Sequence, residues 1–195
     1  MSNPDGTIYL VRHAAPDFDR RDLVYYLPPG PPLTPQGEQE AVELAGFLKT
    51  EGLTGLYCSP LERCLRTAQA VSVATGVPSL TEPRLAEAHP GESEADLQAR
   101  VRPIWEKAVQ ESQTAGGAVA LVTHGAPVAM LLKQLGMDRD TLSKYCQQFD
   151  HFNPLPTAGV WKAVRSAENQ AWVLDLVFTP NKVLIEGGEQ RIFYC

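Results

Sequence analysis

A chain of 195 residues, 44% hydrophobic and 21% charged, is long and apolar enough to bury one ordinary core and too apolar for a disordered segment. Its formal charge of -6 excludes a nucleic-acid binder that relies on a general positive surface, while leaving room for a local cationic pocket. No apolar run approaches the ~18 residues of a membrane span, and no basic-then-apolar leader is visible, so a cytoplasmic protein without membrane attachment is expected.

The first element is a β-prone run, Thr7 to Val11, bounded by Gly6 and the Pro16 region. It reads as a buried strand that leaves the core at Arg12-His13. Residues 15–32 follow as a long loop rich in Pro, Asp and Arg, with Tyr25-Tyr26 in its middle. Asp17, Arg20 and Arg21 are within reach of a ligand near His13, and the two tyrosines are expected to pack against or cover it. Thr34-Pro35 marks a helix start, with Thr as N-cap and Pro in the first turn. Ala41, Leu44, Ala45 and Leu48 recur at helical spacing, and Gly52 stops the helix.

Leu53 to Cys58 reads as a second strand. Ser59-Pro60-Leu61-Glu62 has the pattern of a capping box, with Ser59 as N-cap. Leu61, Leu65, Ala68 and Val71 line one face of the helix it opens; Arg63 lies in the first turn, and Arg66 three residues on shares its face. After Gly76 and Pro78, residues 77–80 form a short strand. Residues 82–92 are irregular, because Pro83, Pro90 and Gly91 interrupt them. Ser93 caps a helix striped by Leu97, Val101, Ile104, Trp105 and Ala108, with Pro103 inside it as a kink or a break.

Ala118 to Thr123 is another buried strand, ending in His124-Gly125. A helix with Val128, Leu131, Leu132 and Leu135 in phase runs to Gly136. A short helix is expected over 141–149, with His151, Asp150 and Asn153 beyond it in structural roles. Val160 to Arg165 and Trp172 to Phe178 form a hairpin, and the tail after Pro180 is expected to be weakly ordered. Strands and helices alternating before a hairpin give a single α/β domain over 1–195, a three-layer α/β/α sandwich with a mixed, mostly parallel sheet.

Three strand ends thus deliver Arg12-His13, Arg63 and His124 to one edge, where open α/β sheets bind ligands. Helix N-termini at Ser59 and Gly125 add N–H groups and partial positive charge. Two arginines match the oxygens of a phosphoryl group, and a neutral imidazole beside them is a nucleophile for it. Arg12, Arg63 and His124 would hold the transferring group. Glu87 is the candidate acid for the leaving oxygen, with Glu92 or His89 as substitutes. The cysteines, Cys58, Cys64, Cys146 and Cys195, have neither zinc nor CxxC spacing and read as reduced thiols. A metal site built from His13, His89, His124 and Asp17 has no ligand spacing to support it, so neither metal nor cofactor is expected.

The chain resembles the histidine phosphatase superfamily, the phosphoglycerate mutase-like family. The resemblance rests on Leu10-Val11-Arg12-His13, Leu33-Thr34-Pro35-Gln36-Gly37, Ser59-Pro60-Leu61-Glu62-Arg63-Cys64, Leu85-Ala86-Glu87, Gly91-Glu92-Ser93 and Val122-Thr123-His124-Gly125, in the family's order. It implies the phosphoglycerate mutase-like fold. It also implies that His13 is the phosphorylated nucleophile, that Arg12, Arg63 and His124 bind the phosphate, and that Glu87 is the acid/base; Arg66 is not at the family's catalytic arginine position. Ala14 stands where the family usually has Gly. Only Ala88, His89 and Pro90 separate Glu87 from Gly91, where many members carry an insertion, which leaves the pocket open on that side.

The function expected is a phosphatase acting on phosphomonoesters, either small molecules or a phosphorylated protein side chain, including phosphohistidine. A phosphoglycerate mutase of the same fold and a non-catalytic phosphate-binding module are the alternatives. Neither nucleic acid nor membrane is expected as a partner, and the sequence is silent on oligomeric state.

Overall fold

Alternation within two strands builds the whole molecule. In β1, Thr7–Arg12, Ile8 and Leu10 face one side while Tyr9 and Val11 face the other, and every residue is buried. The same holds for the strand Ala118–Thr123. Strands buried on both faces belong in the middle of a parallel sheet covered on each side by helices. The computed structural model describes residues 6–149, 152–166 and 169–180. Over them the elements run β1, α1 (Pro35–Leu48), β2 (Leu53–Cys58), α2 (Glu62–Thr75), β3 (Ser79–Thr81), a 3₁₀ turn (Pro83–Leu85), α3 (Glu94–Ala115), β4 (Ala118–Thr123), α4 (Gly125–Gln134), α5 (Arg139–Phe149), β5 (Val160–Arg165) and β6 (Trp172–Phe178).

The sheet order is β3-β2-β4-β1-β5-β6. The first four strands are mutually parallel; β5 pairs antiparallel with β1, and β6 antiparallel with β5 at the sheet edge. This is the mixed α/β architecture that the sequence pattern predicts. One core cluster joins α1 and α2 to one face through Ala41, Leu44, Leu48, Ala68 and Val71. The other joins α3, α4 and α5 to the opposite face through Val101, Ile104, Val128, Leu131 and Leu142. Each fully buried leucine among these contributes about 1.5–3 kcal/mol.

The topology also fixes where a ligand can sit. β1 and β4 are neighbours, yet α1 leaves β1 for one face of the sheet and α4 leaves β4 for the other. A crevice opens at such a switch point, beyond the carboxyl ends of the two strands. His13 and His124 are the residues that step off those two ends.

Several local expectations hold. Thr34 caps α1, its hydroxyl accepting from the Gly37 N–H at 2.9 Å. Ser93 caps α3 in a full capping box with Asp96. Helix α3 passes through Pro103 without a break. Pro103 is exposed, so the carbonyl left without an N–H partner faces water instead of the core.

Three differ. The short third strand is Ser79–Thr81, shifted along the chain from 77–80. Ser59 does not cap α2: the N-cap is Leu61, with no side-chain cap bond. Arg66 does not share the buried face of Arg63; it is exposed and paired with Glu38 at 2.9 Å. Asp150, His151 and the tail after 180 lie outside the described residues. Among the described residues no helix is long and apolar enough to cross a membrane.

Candidate active site

His13 is held by its own backbone before its side chain does anything. Its N–H donates to the Thr123 carbonyl at 2.9 Å, and its carbonyl accepts from the Ala158 N–H at 3.0 Å. Ala158 adopts φ +53° to do so, a conformation that costs a non-glycine residue about 1 kcal/mol. The next two residues are fixed as well. Ala14 N–H donates to Thr67 Oγ1 at 3.0 Å, and Ala15 N–H donates to the buried Glu40 carboxylate at 2.9 Å. Helix α1 closes on this turn so tightly that a Cβ on Gly37 would lie 2.2 Å from the Ala15 carbonyl oxygen. Glycine in the Leu33–Gly37 stretch is therefore a packing requirement.

The imidazole of His13 is 1% exposed, and its Nδ1 lies 2.8 Å from the Ala14 carbonyl oxygen. A carbonyl only accepts, so Nδ1 carries the proton and Nε2 keeps a free lone pair. Burial first, then the charges of Arg63 and Arg12, push the imidazole's pKa well below its ordinary value. The ring is thus a neutral base at neutral pH.

The second imidazole, His124, is fully buried, with its ring centroid 5.1 Å from that of His13. Arg63 Nη2 lies 3.1 Å from His124 Nδ1. A guanidinium has only donors, so Nδ1 accepts and the proton sits on Nε2, which donates to Ser59 Oγ at 2.8 Å. This is why Ser59 leaves the helix cap to Leu61: its hydroxyl orients an imidazole instead. Burial, followed by Arg63, lowers the pKa of His124 as well. Helix α4 starts at Gly125, where a Cβ would coincide with the Asn153 side chain at 1.3 Å, so residue 153 is wedged against the helix N-terminus.

The two guanidiniums enter from different elements. Arg12, 8% exposed at the end of β1, donates from Nη1 to the Leu155 carbonyl at 3.0 Å. Arg63 has no exposed surface; it donates from Nη1 to the Tyr25 carbonyl at 2.9 Å and stacks on the Tyr25 ring, 4.0 Å from its centroid. Tyr25 therefore covers the pocket, as one expectation for the 15–32 loop had it. Arg20 does not reach in; it is exposed and bonded to Asp22 at 2.8 and 2.9 Å.

Glu87 completes the group. Its Oε2 is 3.7 Å from His124 Nδ1, and Oε1 accepts from the Ala88 N–H at 2.9 Å. Burial raises its pKa, outweighing the Ala88 bond and the charges of Arg63, Arg12 and Arg100. Its alternatives are placed elsewhere. Glu92 is locked to Arg100 at 2.5 and 2.9 Å, and His89 is exposed with Nδ1 on the Pro90 carbonyl.

Arg100 escaped the sequence reading. It sits on α3, and all five of its N–H directions serve the segment that carries Glu87. Nη1 donates to the Arg84 and Ala86 carbonyls at 2.7 and 2.9 Å, Nη2 to the Glu87 carbonyl at 3.1 Å, and the remaining donors to Glu92. Thr123 adds a bond from Oγ1 to the Leu85 carbonyl at 2.7 Å. An arginine in a polar helix face gives no sequence signal of this kind, because its partners are backbone carbonyls. Among the described residues no group of three or more His, Cys, Asp or Glu side chains is arranged to hold a metal ion.

The arrangement is a buried cationic recess with one imidazole lone pair available, a second imidazole held by Arg63 and Ser59, and a carboxyl biased toward its protonated form. A family model described as the histidine phosphatase superfamily (branch 1) matches residues 8–94 and 87–153. A protein of Escherichia fergusonii named "Probable phosphoglycerate mutase GpmB" is 36% identical over 84 residues, 43% of this chain and 39% of that protein. The protein of the same name from Photorhabdus laumondii is 32% identical over 115 residues, 57% of this chain and 53% of that one. The chain thus spans about half or less of the length of these curated relatives. The fold is that of a mycobacterial glucosyl-3-phosphoglycerate phosphatase, with a TM-score of 0.69 at 20% identity over 88% of this chain and 98% of that one. A phosphoglycerate mutase from Bacillus anthracis aligns with a TM-score of 0.70 at 16% identity, over 90% and 94% of the two chains. With the family model covering most of the chain from β1 through α5, and both histidine boxes inside it, the chain belongs to the histidine phosphatase superfamily, branch 1.

Proposed function

We propose that the chain is a phosphatase that hydrolyses phosphomonoesters through a phosphohistidine on Nε2 of His13. The single observation that carries this reading is the Nδ1–H bond of His13 to the Ala14 carbonyl, which leaves the opposite ring nitrogen unprotonated inside a recess lined by Arg12 and Arg63. Arg12, Arg63 and His124 bind the phosphoryl oxygens and stabilise the charge that spreads over them in the transition state. The Nε2–P bond forms as the ester P–O bond breaks. The proton on the Glu87 carboxyl goes to the leaving oxygen. In the second step Glu87, now ionised, takes a proton from water as the water oxygen attacks phosphorus. The N–P bond breaks, inorganic phosphate leaves, and both groups return to their starting state.

A phosphoglycerate mutase reading shares the first step and then returns the phosphoryl group to a bound acceptor; it has the names of the curated relatives behind it. The short 88–90 spacer favours hydrolysis, because a mutase must hold its phosphorylated intermediate away from water. The partner is then a phosphorylated small molecule or a phosphorylated protein side chain, and the reading needs no cofactor. A brief incubation with a ³²P-labelled phosphoester, quenched in base, should leave acid-labile label on wild-type protein and none on His13→Ala. Full activity in His13→Ala would end the proposal, and isomerisation of phosphoglycerate without phosphate release would replace it with the mutase.

A further inference from the structure

The wall of the recess on the side of the 15–32 loop is aromatic and preformed. Tyr25 lies with its ring 4.0 Å from the Arg63 guanidinium, and its backbone carbonyl accepts from Nη1 of the same arginine at 2.9 Å. It is therefore an inner wall of the phosphate site. Phe18 continues that wall outward. Its ring stacks on Tyr25 with centroids 5.5 Å apart and planes inclined by 15°, and 43% of it is exposed.

The loop that presents the pair is tied down at several points. Pro16 bridges to Leu33, the Asp17 N–H donates to the Pro32 carbonyl at 2.8 Å, and the Pro29 carbonyl accepts from the Glu62 N–H at 2.7 Å. Arg63 itself holds the Tyr25 carbonyl. The rings are consequently fixed before anything binds, which is the condition under which packing against them yields affinity instead of being spent on ordering. Single exposed apolar side chains need no explanation. Here, however, three of the large exposed ones, Phe18, Val24 and Leu27, share one loop, and one of them extends a stack that ends on the phosphate-side guanidinium.

We infer that the Phe18–Tyr25 pair is a specificity wall that selects phosphomonoesters whose leaving group is aromatic or otherwise flat and apolar, over those with small polyhydroxylated or carboxylated leaving groups. The inference rests on the phosphatase reading for its substrate geometry. The phosphoryl group goes to the arginines, and the atoms beyond the ester oxygen pass the edges of the Tyr25 and Phe18 rings, because Arg63 takes one face of Tyr25 and Phe18 the other. A flat apolar group packs against those ring edges and leaves water; a glycerol or glycerate unit gives up hydration there for C–H edges that return little of it.

The test compares 2-phenylethyl phosphate with glycerol 3-phosphate. Both are esters of primary alcohols, so the chemistry of the leaving oxygen is similar and only the group beyond it differs. Wild-type protein should favour the phenylethyl ester in kcat/KM by about tenfold or more, mainly through KM. Phe18→Ala should shrink that ratio about tenfold, and Phe18→Tyr should restore it. Equal kcat/KM for the two esters, a preference for glycerol 3-phosphate, or an unchanged ratio in Phe18→Ala would overturn the inference. Calorimetry on wild-type protein and on Phe18→Ala with 2-phenylethylphosphonate and 2,3-dihydroxypropylphosphonate, which carry unhydrolysable P–C bonds, separates the two proposals. Turnover without the ratio removes the wall and leaves the phosphatase standing. A binding ratio that Phe18→Ala abolishes, in a protein that turns over neither ester, keeps the wall and removes the phosphatase.

Discussion

Arg63 and His124 are locked together: the guanidinium Nη2 donates to the imidazole Nδ1 at 3.1 Å while Nε2–H donates to Ser59 Oγ at 2.8 Å. Both nitrogens of His124 are therefore occupied before any ligand arrives, and the ring is neutral. In the proposed phosphatase a bound phosphate dianion would draw the Arg63 guanidinium to its own oxygens and reverse the sign of the local field. The lone pair on Nδ1 would then be released to take a proton and donate it to phosphate. Binding of sulfate, which stays a dianion at neutral pH and brings no proton equilibrium of its own, is thus predicted to take up a fraction of a proton. Calorimetric titrations in buffers of different ionisation enthalpy measure it directly; a binding heat independent of buffer would show that His124 stays neutral.

The Arg100–Glu92 pair is predicted to act on the proton-donating step without touching substrate. Arg100→Met removes five hydrogen bonds to the 84–92 segment and leaves the Glu92 side chain, 4% exposed, without its counter-ion. Leaving the 84–87 carbonyls and the partly buried Glu92 carboxylate without these donors costs about 1–3 kcal/mol of stability. Turnover of alkyl phosphates should fall about tenfold to a hundredfold, because the Glu87 carboxyl loses its placement. Turnover of p-nitrophenyl phosphate, whose leaving group needs no proton, should fall much less. An equal loss on both substrates would mean that Arg100 serves the fold alone.

Glu87→Gln gives the same discrimination in stronger form. Loss of a general acid removes about 10²–10⁴ in rate where the leaving group needs a proton. Burial raises the Glu87 pKa, so the acid form persists to a higher pH than an ordinary carboxylic acid allows. The alkaline limb of the phosphorylation step on alkyl esters should therefore lie above the usual carboxylate range and disappear in Glu87→Gln. A pH–rate profile whose alkaline limb survives the substitution would assign the proton to another group.

Stability should fall as the solution is acidified from neutrality. His13 and His124 have folded pKa values below the 6.5 of an unperturbed imidazole, so below about pH 6.5 the unfolded chain binds protons that the folded chain refuses. Each imidazole contributes a loss of about 1.4 kcal/mol per pH unit until its folded pKa is reached. Glu87 works in the opposite sense. Its folded pKa is raised, so its contribution is complete below its ordinary value and is lost as pH rises through the folded value. Two imidazoles against one carboxyl leave a net loss on acidification. Urea midpoints at pH 7 and pH 5.5 test it, with His13→Asn as the variant in which the slope should flatten.

Much of this site was legible before any coordinates. Arg12, His13 and His124 stand directly after strongly apolar runs, so their delivery to one sheet edge follows from strand length and the geometry of parallel sheets. Thr34 and Ser93 were readable as caps because a cap is a local bond, made within three residues. Ser59 was misread for the complementary reason. A serine before Pro-Leu-Glu has the local pattern of a cap, and only the arrival of His124, 65 residues away in sequence, shows that its hydroxyl is used elsewhere.

What the sequence by itself determined is therefore what depends on short-range chemistry: the alternation that makes β1 and β4 central strands, the caps that start α1 and α3, and the cationic and imidazole groups that stand at the strand ends. What only the tertiary structure decided is everything set by long-range partners. The protonated nitrogen of each histidine depends on a carbonyl or a guanidinium that happens to face it. That Glu87 and not Glu92 lies beside His124 depends on Arg100 having claimed the latter. The aromatic wall exists because Arg63 draws Tyr25 inward and Phe18 stacks behind it. Hydrogen bonds and ring contacts act over a few ångströms in space, and no pattern along the chain records which distant residues the fold will bring within that range.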